Sequence, residues 1–81
     1  MTVKEAMQIV KSEYTDMSVI ECFDFPDFYA FGMTEKGAEH ELVAGGCFTV
    51  SKTTGKLGTI SPVLDYEAFL KAKPIGIETL N

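Results

Sequence analysis

The fold is decided by residues 17–34, which read MSVIECFDFPDFYAFGMT. Both halves of this stretch are rich in β-branched and aromatic residues, which favour strands. Pro26 and Asp27 stand between the halves and are typical of a turn. The stretch therefore predicts a hairpin of two strands, Met17–Phe25 and Phe28–Thr34.

The second of these strands is apolar on both faces. Alternation along a strand places Tyr29, Phe31 and Met33 on one face and Phe28 and Ala30 on the other. We therefore expect this strand to be central in the sheet or to be covered by helices on one or both sides.

A helix is predicted before the hairpin. Thr2 and Glu5 have the T-x-x-E spacing of a capping box, in which two side chains satisfy open backbone N–H groups at a helix start. Apolar residues then recur every three or four positions, which gives a helix one apolar face. These residues are Val3, Ala6, Met7, Val10 and Tyr14. The pattern predicts a helix over residues 3–14.

Two more strands are predicted after the hairpin. Residues 35–41 are polar and are expected to form an exposed loop. The strands are Leu42–Lys52, with a bulge at Gly45-Gly46, and Leu57–Ser61. A tight turn joins them, and Gly55 in that turn is expected to take a positive φ.

The last predicted element is a short helix over residues 65–73. Asp65 can cap it, and Glu67 near its start and Lys71 near its end suit the helix dipole. Pro74 stops the helix because proline lacks a backbone N–H. Residues 74–81 are expected to form a loosely ordered tail, in which Ile75 and Ile77 are available to cover a sheet edge.

These elements predict one α+β domain spanning residues 1–81. The predicted order is αββββα, and short connections between successive strands favour an antiparallel meander. We expect both helices to pack on one face of the sheet.

The composition indicates a soluble, cytoplasmic protein. No apolar stretch in the sequence approaches the roughly 18 residues of a membrane span. The first residues lack the basic and apolar blocks of a signal peptide. Cys22 and Cys47 form no CxxC pair, and two reduced thiols are expected in this compartment.

The negative charge is concentrated in the first half of the chain. The net charge is −5, and residues 13–41 carry eight acids against one lysine. Arginine is absent from the sequence. Because contacts from Lys and Arg dominate phosphate binding, we do not expect nucleic acid as a partner. Such a surface would attract a basic partner protein, or it serves only solubility.

No residue pattern indicates catalysis, a metal or a cofactor. His40 is the single histidine, and its neighbours Glu39 and Glu41 point apart in an extended segment, whereas zinc needs three or four converging ligands. Gly55 and Gly58 lack the spacing of a phosphate loop. We therefore expect a non-enzyme without cofactor or metal.

Aromatic residues crowd around the predicted turn, at Phe23, Phe25, Phe28, Tyr29 and Phe31. One hairpin cannot easily bury all of them behind two short helices, so one or two are expected to form an exposed anchoring patch; the alternative is that all are core. Together with the acidic region, this gives a set of candidate partner-binding residues. They are Asp24, Asp27, Phe28, Glu35, Glu39 and Glu41.

Several segments resemble a known family. They are GGCFTVSKTTGK at 45–56, ISP at 60–62 and DYEAF at 65–69, with a similar layout for the first helix and hairpin. The resemblance is to YrhB-type domains of bacterial immunity proteins. It implies a bacterial, non-catalytic inhibitor that neutralises a cognate toxin by binding it. The alternative is a structural domain that self-associates through an open sheet edge.

Overall fold

The computed structural model describes residues 1–36, 47–61 and 63–77. In chain order the elements are α1 (Val3–Glu13), β1 (Met17–Asp24), β2 (Phe28–Glu35), β3 (Cys47–Ser51), β4 (Leu57–Ile60), α2 (Tyr66–Lys71) and β5 (Lys73–Ile75). Within these residues the strands form one open antiparallel sheet in the order β4-β3-β2-β1-β5. The α+β class is therefore confirmed, with one strand more than predicted.

The helix α1 begins with the predicted capping box. Thr2 Oγ1 accepts a hydrogen bond from Glu5 N at 3.2 Å, and Thr2 N donates to Glu5 Oε1 at 3.1 Å. The bond from the Thr2 backbone lowers the pKa of the Glu5 carboxyl because it stabilises the charged form. The helix ends at Glu13, and Tyr14 N donates to Val10 O at 2.9 Å.

The core lies between α1 and one face of the sheet, here called the α1 face. Directly paired residues on neighbouring strands point to the same face. On this basis the α1 face carries Val19, Cys22, Phe31, Met33 and Val50, which pack with Ala6, Met7 and Val10 of α1. The strand β2 is central in the sheet, in agreement with its two apolar faces.

The strand β1 contains a bulge that was not predicted from the sequence. Val19 pairs with Met33, whereas Glu21 pairs with Gly32, so one extra residue stands between the two pairs. Because of this extra residue, Val19 and Cys22 both point to the α1 face although they are three positions apart. Strict alternation would have placed one of them on the opposite face.

The strand β5 corrects the prediction for the end of the chain. Pro74 and Ile75 belong to β5, which pairs with β1 and places Ile75 opposite Cys22, instead of forming a loosely ordered tail. A proline is tolerated here because β5 is an edge strand. Ile75 and Ile77 pack against the core. This agrees with the expectation that they cover a sheet edge. Residues 78–81 lie outside the described residues.

The helix α2 is shorter than predicted and contacts the face of the sheet opposite to α1. Its Phe69 ring lies 5.3 Å from the Phe23 ring, centroid to centroid. Phe23 pairs with Ala30 and alternates with Cys22, so it points away from α1. The prediction that both helices pack on one face is therefore corrected.

The remaining boundaries differ by small amounts. The third strand, predicted over Leu42–Lys52, is described over Cys47–Ser51, and the predicted bulge at Gly45-Gly46 lies outside the described residues. Gly55 has a φ of 73°, as expected for its turn. Within the described ranges, no helix has the length and apolar character needed to cross a membrane.

Candidate functional site

Large apolar side chains are exposed in the segment that contains α2. The exposed fraction is 83% for Val63, 87% for Leu64, 61% for Tyr66 and 66% for Leu70. We call these four residues the α2 surface. Large exposed apolar side chains that lie this close together in the chain are typical of an interaction site.

An aromatic cluster on the hairpin holds α2 in place. Phe69 is half-buried and lies edge-on to Phe23 and Phe25, with ring centroids 5.3 and 5.2 Å away. Phe25 is buried and stacks on Phe28 at 4.6 Å. Aromatic pairs in such arrangements contribute about 0.5–1.5 kcal/mol each beyond the burial of their area. The cluster therefore fixes one side of α2 and leaves the α2 surface to solvent.

A hydrogen-bonded turn leads into α2. Asp65 N donates to Ser61 O at 2.8 Å, and the Asp65 carboxylate accepts a hydrogen bond from Ser61 N at 3.2 Å. Leu64 N donates to Ser61 Oγ at 3.2 Å. Asp65 stands at the N-cap position but makes no capping bond with its side chain, contrary to the prediction. Its carboxylate fixes the turn, and the turn presents Val63 and Leu64 outward.

The charges of the α2 segment are separated along the chain. Asp65 and Glu67 lie at its start, Lys71 and Lys73 lie at its end, and all four side chains are exposed. The segment therefore has an acidic end and a basic end along the chain.

The candidate partner-binding residues do not form one surface. Asp24, Asp27 and Phe28 lie at the β1–β2 turn, whereas Glu35 lies at the far end of β2. Seven residues of extended strand separate Glu35 from Phe28, a distance of roughly 23 Å. Glu39 and Glu41, also predicted, lie outside the described residues.

Within the turn group, two residues already have intramolecular contacts. Asp24 Oδ1 is 2.6 Å from Lys52 Nζ, and the same ammonium lies 4.7 Å from the centroid of the Tyr29 ring. Phe28 is half-buried by its stacking on Phe25. Asp27 remains exposed. Most side chains of the predicted anchoring patch therefore contact other residues of the same chain.

The α2 surface was not predicted from the sequence, because the last helix was expected only to pack on the sheet. A six-residue helix can bury little more than one large side chain, and here that side chain is Phe69. Tyr66 and Leu70, four positions apart on one side, were the signal available.

An acidic depression lies at the other end of β1. Its volume is about 520 Å³, and its lining is Glu13, Tyr14, Thr15, Asp16, Met17, Glu35 and Lys36. Three carboxylates face one ammonium, so the depression is negatively charged. We call Glu13, Asp16 and Glu35 the acidic depression.

The cysteines are free, buried thiols on opposite faces of the sheet. This agrees with the prediction of two reduced thiols. Burial, and to a lesser extent the Asp24 charge, raises the pKa of Cys22 to about 11. Burial, and then the Glu21 charge, raises the pKa of Cys47. Both thiols therefore stay protonated and weakly nucleophilic at neutral pH.

In the part of the chain that the structure describes, no three His, Cys, Asp or Glu side chains are grouped so as to hold a metal ion. His40 and its two flanking glutamates lie outside that part.

No protein-family model matches this chain, and no curated protein or solved structure is significantly similar to it. The resemblance to YrhB-type immunity proteins therefore stays a hypothesis. The function has to be inferred from the surfaces described above.

Proposed function

We propose that this chain is a non-catalytic protein-binding module and that it binds through the α2 surface. The observation that carries the proposal is the exposure of 61% or more at Val63, Leu64, Tyr66 and Leu70. Full burial of a side chain of this size stabilises a protein by about 1.5–3 kcal/mol. A complex in which a partner covers the α2 surface is stabilised by this free energy. In the chain alone these side chains stay in contact with water.

The contacts that hold α2 favour the same function. Phe69 is held between Phe23 and Phe25, and hydrogen bonds fix the turn from Ser61 to Asp65. A preformed surface loses less conformational entropy on binding than one that must fold first. The α2 surface is therefore suited to bind without rearrangement.

A double variant, Leu64→Ser with Leu70→Ser, tests the proposal. Both side chains are exposed, so the variant should keep its stability to within about 0.5 kcal/mol while it loses binding. Tagged wild type and variant are compared for the proteins that they retain, including an untagged copy of the chain. Each retained protein is then purified and its affinity measured directly.

Lys4→Ala with Gln8→Ala is the matched control, because these exposed residues are also spaced along one side of a helix. This variant should bind as the wild type does. If the Leu64 and Leu70 substitutions leave every measured affinity unchanged, or if the wild type binds no protein, the α2 surface is not a binding surface.

A narrower proposal concerns the charge of a second partner. The net charge of −5 and the acidic depression support a basic, toxin-like protein, which would make the chain an immunity-like inhibitor. Carboxylates beside Tyr14 and Met17 suit a Lys or Arg side chain, whose apolar stem and charged end need both kinds of contact.

Co-expression with the product of a neighbouring toxin gene tests this narrower proposal. The wild-type chain should relieve toxicity, and Glu13→Lys with Glu35→Lys should weaken both relief and binding, most strongly at low ionic strength. Unrelieved toxicity with the wild-type chain would refute the inhibitor proposal. It would leave binding at the α2 surface as a separate question.

A further inference from the structure

We infer that the α2 surface binds a second copy of this chain, in a two-fold symmetric dimer with the two α2 helices antiparallel. The inference rests on the proposed function of the α2 surface and names its partner.

The order of charges along the α2 segment fits this arrangement. Asp65 and Glu67 form the acidic end and Lys71 forms the basic end, whereas Lys73 belongs to β5 and stands opposite Asp24, on the α1 face. In an antiparallel pair the acidic end of one copy lies against the basic end of the other, and two-fold symmetry repeats the contact. In a parallel pair like charges would meet. The surface is thus complementary to itself in one orientation.

The position of these charges on the helix supports the same contact. Tyr66 and Leu70 are four positions apart and so lie on one side of α2, while Phe69 faces the hairpin. Glu67 and Lys71, also four apart, lie beside the apolar pair. Charges that flank an apolar seam in this way set the orientation of paired helices.

The charged side chains are available for a second copy. Glu67 and Lys71 are exposed, and neither takes part in the ion pair found within residues 1–36, 47–61 and 63–77, which joins Lys52 and Asp24. The Asp65 carboxylate accepts a hydrogen bond from Ser61 N, and among the described residues it forms no ion pair.

A basic partner has less to gain at this surface than a second copy does. The two acids and two lysines of the segment cancel, whereas the whole chain has a net charge of −5. The excess negative charge therefore lies elsewhere, including the acidic depression at the opposite end of β1. A dimer through α2 leaves that depression open to another protein.

Two charge reversals, mixed together, test the dimer. Glu67→Lys reverses a charge at the acidic end of the segment, and Lys71→Glu reverses a charge at the basic end. Each variant alone should dimerise about tenfold more weakly than the wild type, because like charges meet across the two-fold axis. An equimolar mixture should recover the dimer as a heterodimer, because opposite charges meet again. Light scattering gives the mass, which for the wild type should be twice 8.9 kDa.

Lys4→Glu and Lys11→Glu, at exposed positions of α1, are the charge-reversal controls and should keep the wild-type mass. Circular dichroism verifies that every variant is folded. A wild type that stays monomeric up to about 1 mM, or a mixture that stays as monomeric as its components, overturns the inference. A dimer that survives Leu64→Ser with Leu70→Ser also overturns it, because the contact then lies elsewhere.

The proposed function and this inference fail separately. If the wild type is monomeric and the Leu64→Ser, Leu70→Ser variant loses affinity for a different purified protein, the α2 surface is a binding surface and the second copy is not its partner.

Discussion

Lys52 shows how one side chain ties the end of β3 to the β1–β2 turn. Its Nζ is 2.6 Å from Asp24 Oδ1 and 4.7 Å from the Tyr29 ring centroid, and its backbone N donates to Asp27 O at 3.0 Å. The side chains of Lys52 and Asp24 are 26% and 38% exposed, so water screens the pair. Together the ion pair and the cation–π contact should contribute about 1 kcal/mol.

Lys52→Met should therefore lower the free energy of unfolding by about 1 kcal/mol. Methionine keeps much of the apolar stem and removes the charge. Urea denaturation should show that the difference from the wild type shrinks as salt is added. Lys56→Met, at an exposed lysine of the same turn, is the control and should change stability by less than about 0.5 kcal/mol. Equal stability of Lys52→Met and wild type at low salt would contradict the prediction.

Cys22 makes stability depend on pH in the alkaline range. Its pKa rises from the usual 9.0 to about 11, mainly through burial. The folded chain thus holds the thiol proton at pH values where the unfolded chain has released it. This contribution to stability is fully present below pH 9 and is lost as the pH rises toward 11.

We expect the free energy of unfolding to fall more steeply between pH 9 and 11 in the wild type than in Cys22→Ala. Urea denaturation at several pH values measures both slopes. The cavity left by the substitution lowers stability at every pH and so does not change the slope. Parallel pH profiles for the two proteins would show that the pKa of Cys22 is not raised.

At the scale of elements, α2 depends on a single half-buried side chain. Phe69 contacts Phe23 and Phe25, while the other large side chains of the helix face solvent. The rest of the fold does not depend on α2 in this way, because its core lies between α1 and the other face of the sheet.

Phe69→Ala should release α2 and leave α1 and the sheet folded. The amides of α2 should lose their protection from hydrogen exchange, while global stability falls by about 1–2 kcal/mol, less than for a fully buried Phe. Leu70→Ala, at the neighbouring exposed position, should keep that protection. Unchanged exchange of α2 amides in Phe69→Ala would mean that other contacts hold the helix.

The elements with strong local signals were predicted from the sequence. The capping box and apolar spacing located α1, and the β1–β2 hairpin was placed to within one residue at each strand end. The strand β5 was missed because Pro74 reads locally as a helix stop, and the β1 edge that accepts it is distant in sequence. The face chosen by α2 depends on the same kind of distant contact, between Phe69 and the hairpin.

The candidate site was predicted less well than the fold. One or two of the hairpin aromatics were expected to be exposed, whereas the structure buries or half-buries all five and uses Phe23 and Phe25 to hold α2. The exposed apolar side chains in this region are therefore those of the α2 surface and not those of the hairpin. The hairpin offers α2 a limited contact area, which one apolar side chain of the helix occupies. The spacing of residues in the sequence does not decide whether Phe69 or Leu70 occupies it.

At the scale of the whole molecule, two different surfaces lie at the two ends of β1. The α2 surface is apolar and its flanking charges cancel, whereas the acidic depression is negatively charged. Eight residues of strand separate these ends by roughly 23 Å. The proposed second copy and the proposed basic protein would therefore contact separate surfaces of the chain.

The methyl groups of Leu64 and Leu70 provide the most direct measurement of protein binding at the α2 surface. Their NMR signals, recorded with a soluble paramagnetic agent, report how closely solvent approaches each methyl. In the dilute chain both signals should broaden strongly, and in the complex, with a second copy or another protein, both should be protected. Methyl groups that stay as accessible in the complex as in the dilute chain would contradict binding at this surface.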